Sequence, residues 1–214
     1  MMSTSPVPMS AQPAPDADRP AARYVERAPR AMTLLLTGKL IVNGREGLCR
    51  VRNMSATGMK IETHMALSKG TEVRVDLRST GDLCARVVWT REGMAGLAFV
   101  EPVDLKAVLA GETNRSRILR TRVPRAPRLT AECLIMVGTD TATHEGHLLD
   151  ISQSGARLRL HFRPTIEERL VLTIPGLPVK SGAVRWTRDA EAGLAFYMPL
   201  PFDLLSEWME QQGR

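Results

Sequence analysis

One pattern occurs twice along this chain, and that duplication constrains the fold more than any other feature. Residues 85–99 read ARVVWTREGMAGLAF, and residues 182–196 read GAVRWTRDAEAGLAF. Trp89 answers Trp186, Gly96 answers Gly193 and Phe99 answers Phe196, all at an offset of 97 residues. Upstream, Asn53-Met-Ser55-Ala-Thr-Gly58 answers Asp150-Ile-Ser152-Gln-Ser-Gly155 at the same offset, and Arg27-Ala-Pro-Arg30 answers Arg125-Ala-Pro-Arg128 at 98. Three matches in the same order at nearly one spacing mark an internal repeat. A chain of 214 residues is long enough for two such small domains, each with its own core.

Within each copy, apolar residues recur with period two, the mark of half-buried strands. Glu72–Leu77, Ala156–His161 and Arg169–Ile174 alternate most cleanly. Short runs of this kind return every 10 to 15 residues between Gly, Asn, Asp or Pro turns, a spacing that fits an antiparallel barrel or sandwich better than βαβ units. The pattern predicts strands near 32–42, 45–53, 57–63, 71–78, 82–90 and 94–100 in the first copy. In the second it predicts strands near 129–137, 143–151, 155–161, 167–174, 178–187 and 192–198. Each copy closes on a helical pattern, Pro102–Leu109 and Pro201–Met209, and a proline suits a first helical position because its missing N–H would be unpaired there anyway. Leu204, Leu205, Trp208 and Met209 share one helical face, suited to packing on a barrel. The expected fold class is therefore all-β dominated: two tandem six-stranded antiparallel barrels, each followed by a helix. The expected division is a disordered tail over 1–22, a first barrel over 23–110, an Arg-rich connector over 111–120 and a second barrel over 121–214.

Composition narrows the function classes. Aromatic residues make up only 4%, too few for a surface of stacked rings that would grip single-stranded nucleic acid. No run of eighteen apolar residues occurs, so no membrane insertion is expected. The N-terminus lacks the basic start and apolar stretch of a signal peptide. Cys49, Cys84 and Cys133 are scattered and have no metal-ligand spacing, which fits a reduced, cytoplasmic protein. Charge is concentrated: Arg115–Arg128 holds six arginines and no acid, and Arg19–Arg30 holds four arginines against Glu26. All ten cations are arginine, whose planar fork suits bidentate contact with phosphate or a guanine edge.

Catalysis finds little support. None of His64, His144, His147 and His161 recurs between the copies, no histidine recurs beside Ser55 and Ser152 to act as their base, and no GxSxG elbow surrounds them. His144 and His147 are three residues apart with no third ligand nearby, as expected of surface histidines. No enzyme activity, metal or cofactor is expected. Trp89 and Trp186 lie in apolar strand contexts and are expected in the core. The recurring polar element is [Asn/Asp]-x-Ser-x-x-Gly between two strands. By itself it is a turn, with the Asx capping a backbone N–H and the glycine taking a positive φ. With arginines about 27 residues upstream, it gains a second meaning. A lead-in segment folded over the barrel rim would set guanidinium groups beside a carboxamide or carboxylate, a hydroxyl and a glycine backbone, a set that suits a guanine nucleotide.

On these two signatures the chain resembles the PilZ domain family, which pairs RxxxR with [D/N]xSxxG on a six-stranded barrel followed by a helix. The resemblance covers roughly residues 23–109 and 121–209, and the repeated V-x-W-T-R and G-L-A-F segments look like the family's last two strands. It implies a receptor for the bacterial second messenger cyclic di-GMP that acts on a downstream protein partner, with nucleic acid not expected. The implied ligand-binding residues of the first copy are Arg23, Arg27, Asn53, Ser55 and Gly58. In the second copy they are Arg122, Arg125, Asp150, Ser152 and Gly155, but Thr121 stands at the first RxxxR position, flanked by Arg120 and Arg122. The second copy is therefore either a competent site with altered geometry or a degenerate barrel kept for protein contacts. A docking module that binds no nucleotide is the alternative for the whole chain.

Overall fold

The computed structural model describes residues 36–77, 82–106, 108 and 126–212. Twelve strands form two closed six-stranded antiparallel barrels. The first consists of β1 (Leu36–Val42), β2 (Arg45–Ser55), β3 (Gly58–Glu62), β4 (Glu72–Asp76), β5 (Asp82–Arg91) and β6 (Met94–Phe99). The second consists of β7 (Leu129–Gly138), β8 (Thr143–Ser152), β9 (Gly155–Leu160), β10 (Arg169–Thr173), β11 (Lys180–Arg188) and β12 (Glu191–Phe196). Each barrel has the same strand order, first-second-third-sixth-fifth-fourth, and closes where its first strand pairs with its fourth. The predicted strands match these closely; residues 32–35 of the first and 78 of the fourth lie outside the described residues, as do the expected tail (1–22) and connector (111–120).

Period-two alternation fills each barrel from its own strands. Leu40, Cys49, Val51, Ile61, Val75, Val87 and Leu97 line the first, each 3% exposed or less. Leu129, Val137, Leu148, Ile151, Leu158, Leu172 and Val184 line the second, none of them exposed. After the first barrel, the Val108 N–H donates to Asp104 O at 3.0 Å and the Lys106 N–H to Asp104 Oδ1 at 2.8 Å, one helical turn among the described residues. After the second, helix α1 (Phe202–Gln212) buries Phe202, Leu205, Trp208 and Met209, while Leu204 is only partly buried. The Trp208 indole N–H donates to Pro175 O at 2.8 Å, so its polar end is satisfied where its ring is buried.

Helix α1 also reaches the first barrel, through the outer face of β2. Leu48 points away from its own barrel and joins the core of the second. The guanidinium of Arg50 lies 4.0 Å from the centre of the Phe202 ring, a cation–π contact. Arg45 pairs with Glu210 at 3.5 Å, and His64 Nε2 lies 3.3 Å from Asp203 Oδ1. Glu46 accepts the Lys39 ammonium and the Thr130 backbone N–H, each at 2.8 Å, and so ties β2 to β7. Burial alone would raise the Glu46 carboxyl, but the Lys39 and Thr130 hydrogen bonds outweigh it and hold the group below the usual carboxylate range.

Candidate ligand-binding sites

The two [Asn/Asp]-x-Ser-x-x-Gly segments are the tips of equivalent hairpins, β2–β3 and β8–β9. Ser55 pairs with Gly58, and Ser152 with Gly155, across a two-residue turn. The serine hydroxyls close these turns: Ser55 Oγ donates to Gly58 O at 3.2 Å and Ser152 Oγ to Gly155 O at 3.1 Å. Neither glycine has the positive φ expected of it. Each is needed instead because β3 and β9 pass very close to the neighbouring strand. A Cβ on Gly58 would meet Leu97 O at 2.3 Å, and one on Gly155 would meet Leu194 O at 2.2 Å. The tips are also bolted to the last strand of each barrel, since Phe99 N donates to Thr57 O and Phe196 N to Ser154 O, both at 2.9 Å. Serine and glycine therefore hold the hairpin in place, and the Asx lies on the outer barrel face.

A β-bulge aims that Asx. The ladder slips by one residue between Val51 and Asn53 in β2, and between Leu148 and Asp150 in β8. After the slip, Asn53 stands directly across from Lys60, and Asp150 directly across from Arg157. Asp150 is only 9% exposed on an outer barrel face, and it is compensated. Arg157 Nε donates to Asp150 Oδ2 at 2.7 Å, and Arg128 donates to Oδ1 at 3.4 Å. Glu191 braces this cluster, pairing with Arg157 at 3.5 Å and with Arg159 at 3.6 Å. Among the described residues no acid pairs with the Asx of the first barrel; Arg52, next to Asn53, turns to Glu62, which also takes Arg50 at 3.4 Å.

Arg128 is the last residue of the repeated Arg-Ala-Pro-Arg, so the end of the lead-in segment does meet the turn motif in the second barrel. Arg23 and Arg27 of the first site, and Arg122 and Arg125 of the second, lie outside the described residues, as does Thr121. Arg128 and Arg157 were not singled out from sequence as site residues. The recurrence of Arg-Ala-Pro-Arg was a signal for the first, and a cation two residues after the motif glycine in both copies was a signal for the second.

The tryptophans correct an expectation. Trp89 is 41% exposed and Trp186 is half-buried, so neither is a core residue. A bulge before each flips its side chain to the outer face, where the indole lies across Gly96 or Gly193 of the next strand. A Cβ on either glycine would sit 2.0 Å from the indole nitrogen, so the Trp–Gly pairing is a single packing unit. A cleft of about 770 Å³ opens elsewhere on the first barrel, lined by Glu62–Leu67 and Thr90–Ala95 with Asp203 at its edge, and it contains none of the motif residues. Among the described residues no group of three or more His, Cys, Asp or Glu is placed to hold a metal, and no helix is long and apolar enough to cross a membrane.

The PilZ domain profile matches residues 24–110 and again 119–210. The chain belongs to the PilZ family. No curated protein matches it in sequence. Among solved structures it is similar to PlzA of Borreliella burgdorferi in complex with c-di-GMP, at 12% identity over 83% of this chain and 88% of that one, with a TM-score of 0.38. It is similar to the Bacillus subtilis inhibitor of motility MotI/DgrA at 12% identity over 85% and 98% of the two chains, TM-score 0.34. It is similar also to the K. pneumonia MrkH–c-di-GMP complex at 13% identity over 82% and 85%, TM-score 0.33. The PilZ match spans both barrels and both turn motifs, so the duplication is a tandem of PilZ domains.

Proposed function

We propose that this tandem PilZ protein is a cytoplasmic, non-enzymatic receptor for cyclic di-GMP that passes the signal to a protein partner. The observation that carries the reading is the 3.4 Å contact of Arg128 with Asp150, which joins the lead-in segment to the turn motif. Around that contact the guanidinium groups of Arg128 and Arg157 meet the Asp150 carboxylate on one outer face, and guanidinium groups suit a phosphate and a guanine edge. In the first domain, with proposed limits 23–110, Arg23 and Arg27 grip phosphate and guanine while Asn53, Ser55 and Gly58 form the rim that holds the base. In the second, proposed as 121–214, Arg122 and Arg125 join Asp150, Ser152 and Gly155.

Calorimetric titration of cyclic di-GMP into the wild type, Arg27→Ala and Arg125→Ala tests this. Saturable heat is expected from the wild type, with at least a tenfold weaker Kd where a charged hydrogen bond is lost. Loss in Arg27→Ala alone would assign binding to the first domain and leave the second as a docking barrel, a role consistent with an Asp150 already held by two arginines. Absence of heat from the wild type would replace the receptor reading with the docking-module one.

A further inference from the structure

We infer that each site uses a third cation beyond the two family signatures, Lys60 in the first domain and Arg157 in the second, to hold a ligand phosphate; this rests on the receptor reading. Both residues stand two positions after the motif glycine, and each is the direct cross-strand partner of the motif Asx. Directly opposed side chains on one sheet face are within about 5 Å at Cβ, so each cation borders the Asx at the hairpin tip.

The simpler explanation is that Arg157 neutralises the buried Asp150, to which its Nε donates at 2.7 Å. The first domain argues against charge neutralisation as the shared role. There the Asx is the uncharged Asn53, yet a cation is still present at the same position. Lys60 is exposed and makes no ion pair among the described residues, so its ammonium is available to an anion. Arg157 keeps 40% of its side chain exposed while holding Asp150 and Glu191, so part of it stays accessible from solvent. A cation beside a hydrogen-bonding Asx places a phosphate contact next to a base contact, as the phosphate and base of one nucleotide require. Lysine serves as a point charge and arginine as a fork, so the two sites should tolerate exchange of one cation for the other better than loss of charge.

The test is titration of cyclic di-GMP into the full chain, comparing the wild type with Lys60→Met, with the double variant Lys60→Met/Arg157→Met, and with Lys60→Arg/Arg157→Lys. Circular dichroism melts of each variant report folding. The double methionine variant is expected to bind about ten- to a hundredfold more weakly, and the charge-keeping variant to stay within a few-fold of wild type. Removing Arg157 strands part of the Asp150 charge, so Arg157→Met/Asp150→Asn is read against Asp150→Asn alone, and Lys60→Met at an exposed position tests the first site without that complication. Wild-type heat with an unchanged titration in Lys60→Met and in the double variant would overturn the third-cation assignment and leave the receptor reading intact. A silent wild type would overturn both.

Discussion

Ser55, Gly58, Ser152 and Gly155 are fixed by the fold itself, because hydroxyl and backbone lock each hairpin tip against the last strand of its barrel. Gly58→Ala and Gly155→Ala are each expected to destabilise by about 3 kcal/mol, since a methyl group cannot fit 2.3 or 2.2 Å from a carbonyl oxygen. Urea denaturation measures this, and an unchanged midpoint in both would refute the close-approach account. The cysteines divide by burial. Burial pushes the Cys49 thiol up to about 12, whereas Cys84 is exposed. With a thiol reagent at pH 8, Cys84 should label in the native state and Cys49 only on unfolding. Because the folded pKa of Cys49 is raised, its contribution to stability is complete below its ordinary value of 9.0 and fades as pH climbs toward about 12. The motif positions were readable in sequence because they recur. The contacts of Arg128 and Arg157 were not, since they depend on where the lead-in crosses the rim and on which residue a bulge sets opposite the Asx.

At the scale of elements, alternation in the sequence located all twelve strands to within a few residues, because a barrel buries one face of every strand. It misplaced the tryptophans for a specific reason: a one-residue bulge between Val87 and Trp89, and between Val184 and Trp186, inverts the inside–outside parity. The second face of α1 was equally hidden, because its partners Arg45, Arg50 and His64 lie about 140 to 165 residues earlier in the chain. Trp208 anchors this helix, 2% exposed and bonded to Pro175 O. Trp208→Ala is expected to cost about 3–5 kcal/mol of stability in thermal or urea unfolding. A cost under about 1 kcal/mol would show that α1 contributes little to the second barrel.

Across the whole molecule, β2 of the first domain serves two purposes. Its end carries Asn53 and Ser55, and its outer face carries Glu46, Leu48 and Arg50, which meet β7 and α1 of the second domain. Because the folded Glu46 carboxyl sits below its ordinary value of 4.5, its support for the seam is present above that pH and is lost as pH falls through the lowered value. Glu46→Gln should therefore flatten the fall in stability as pH drops below 4.5, measured by urea denaturation of the variant beside the wild type across that range. Both domains retain the turn motif, and they differ in the charge of its Asx and in the lead-in residue at Thr121. Native mass spectrometry of the full chain with cyclic di-GMP tests the central claim most directly: the account predicts a bound-ligand mass that is lost in the variant Asn53→Ala/Asp150→Ala/Arg27→Ala/Arg125→Ala, and a wild type that stays ligand-free at a large excess of nucleotide would contradict it.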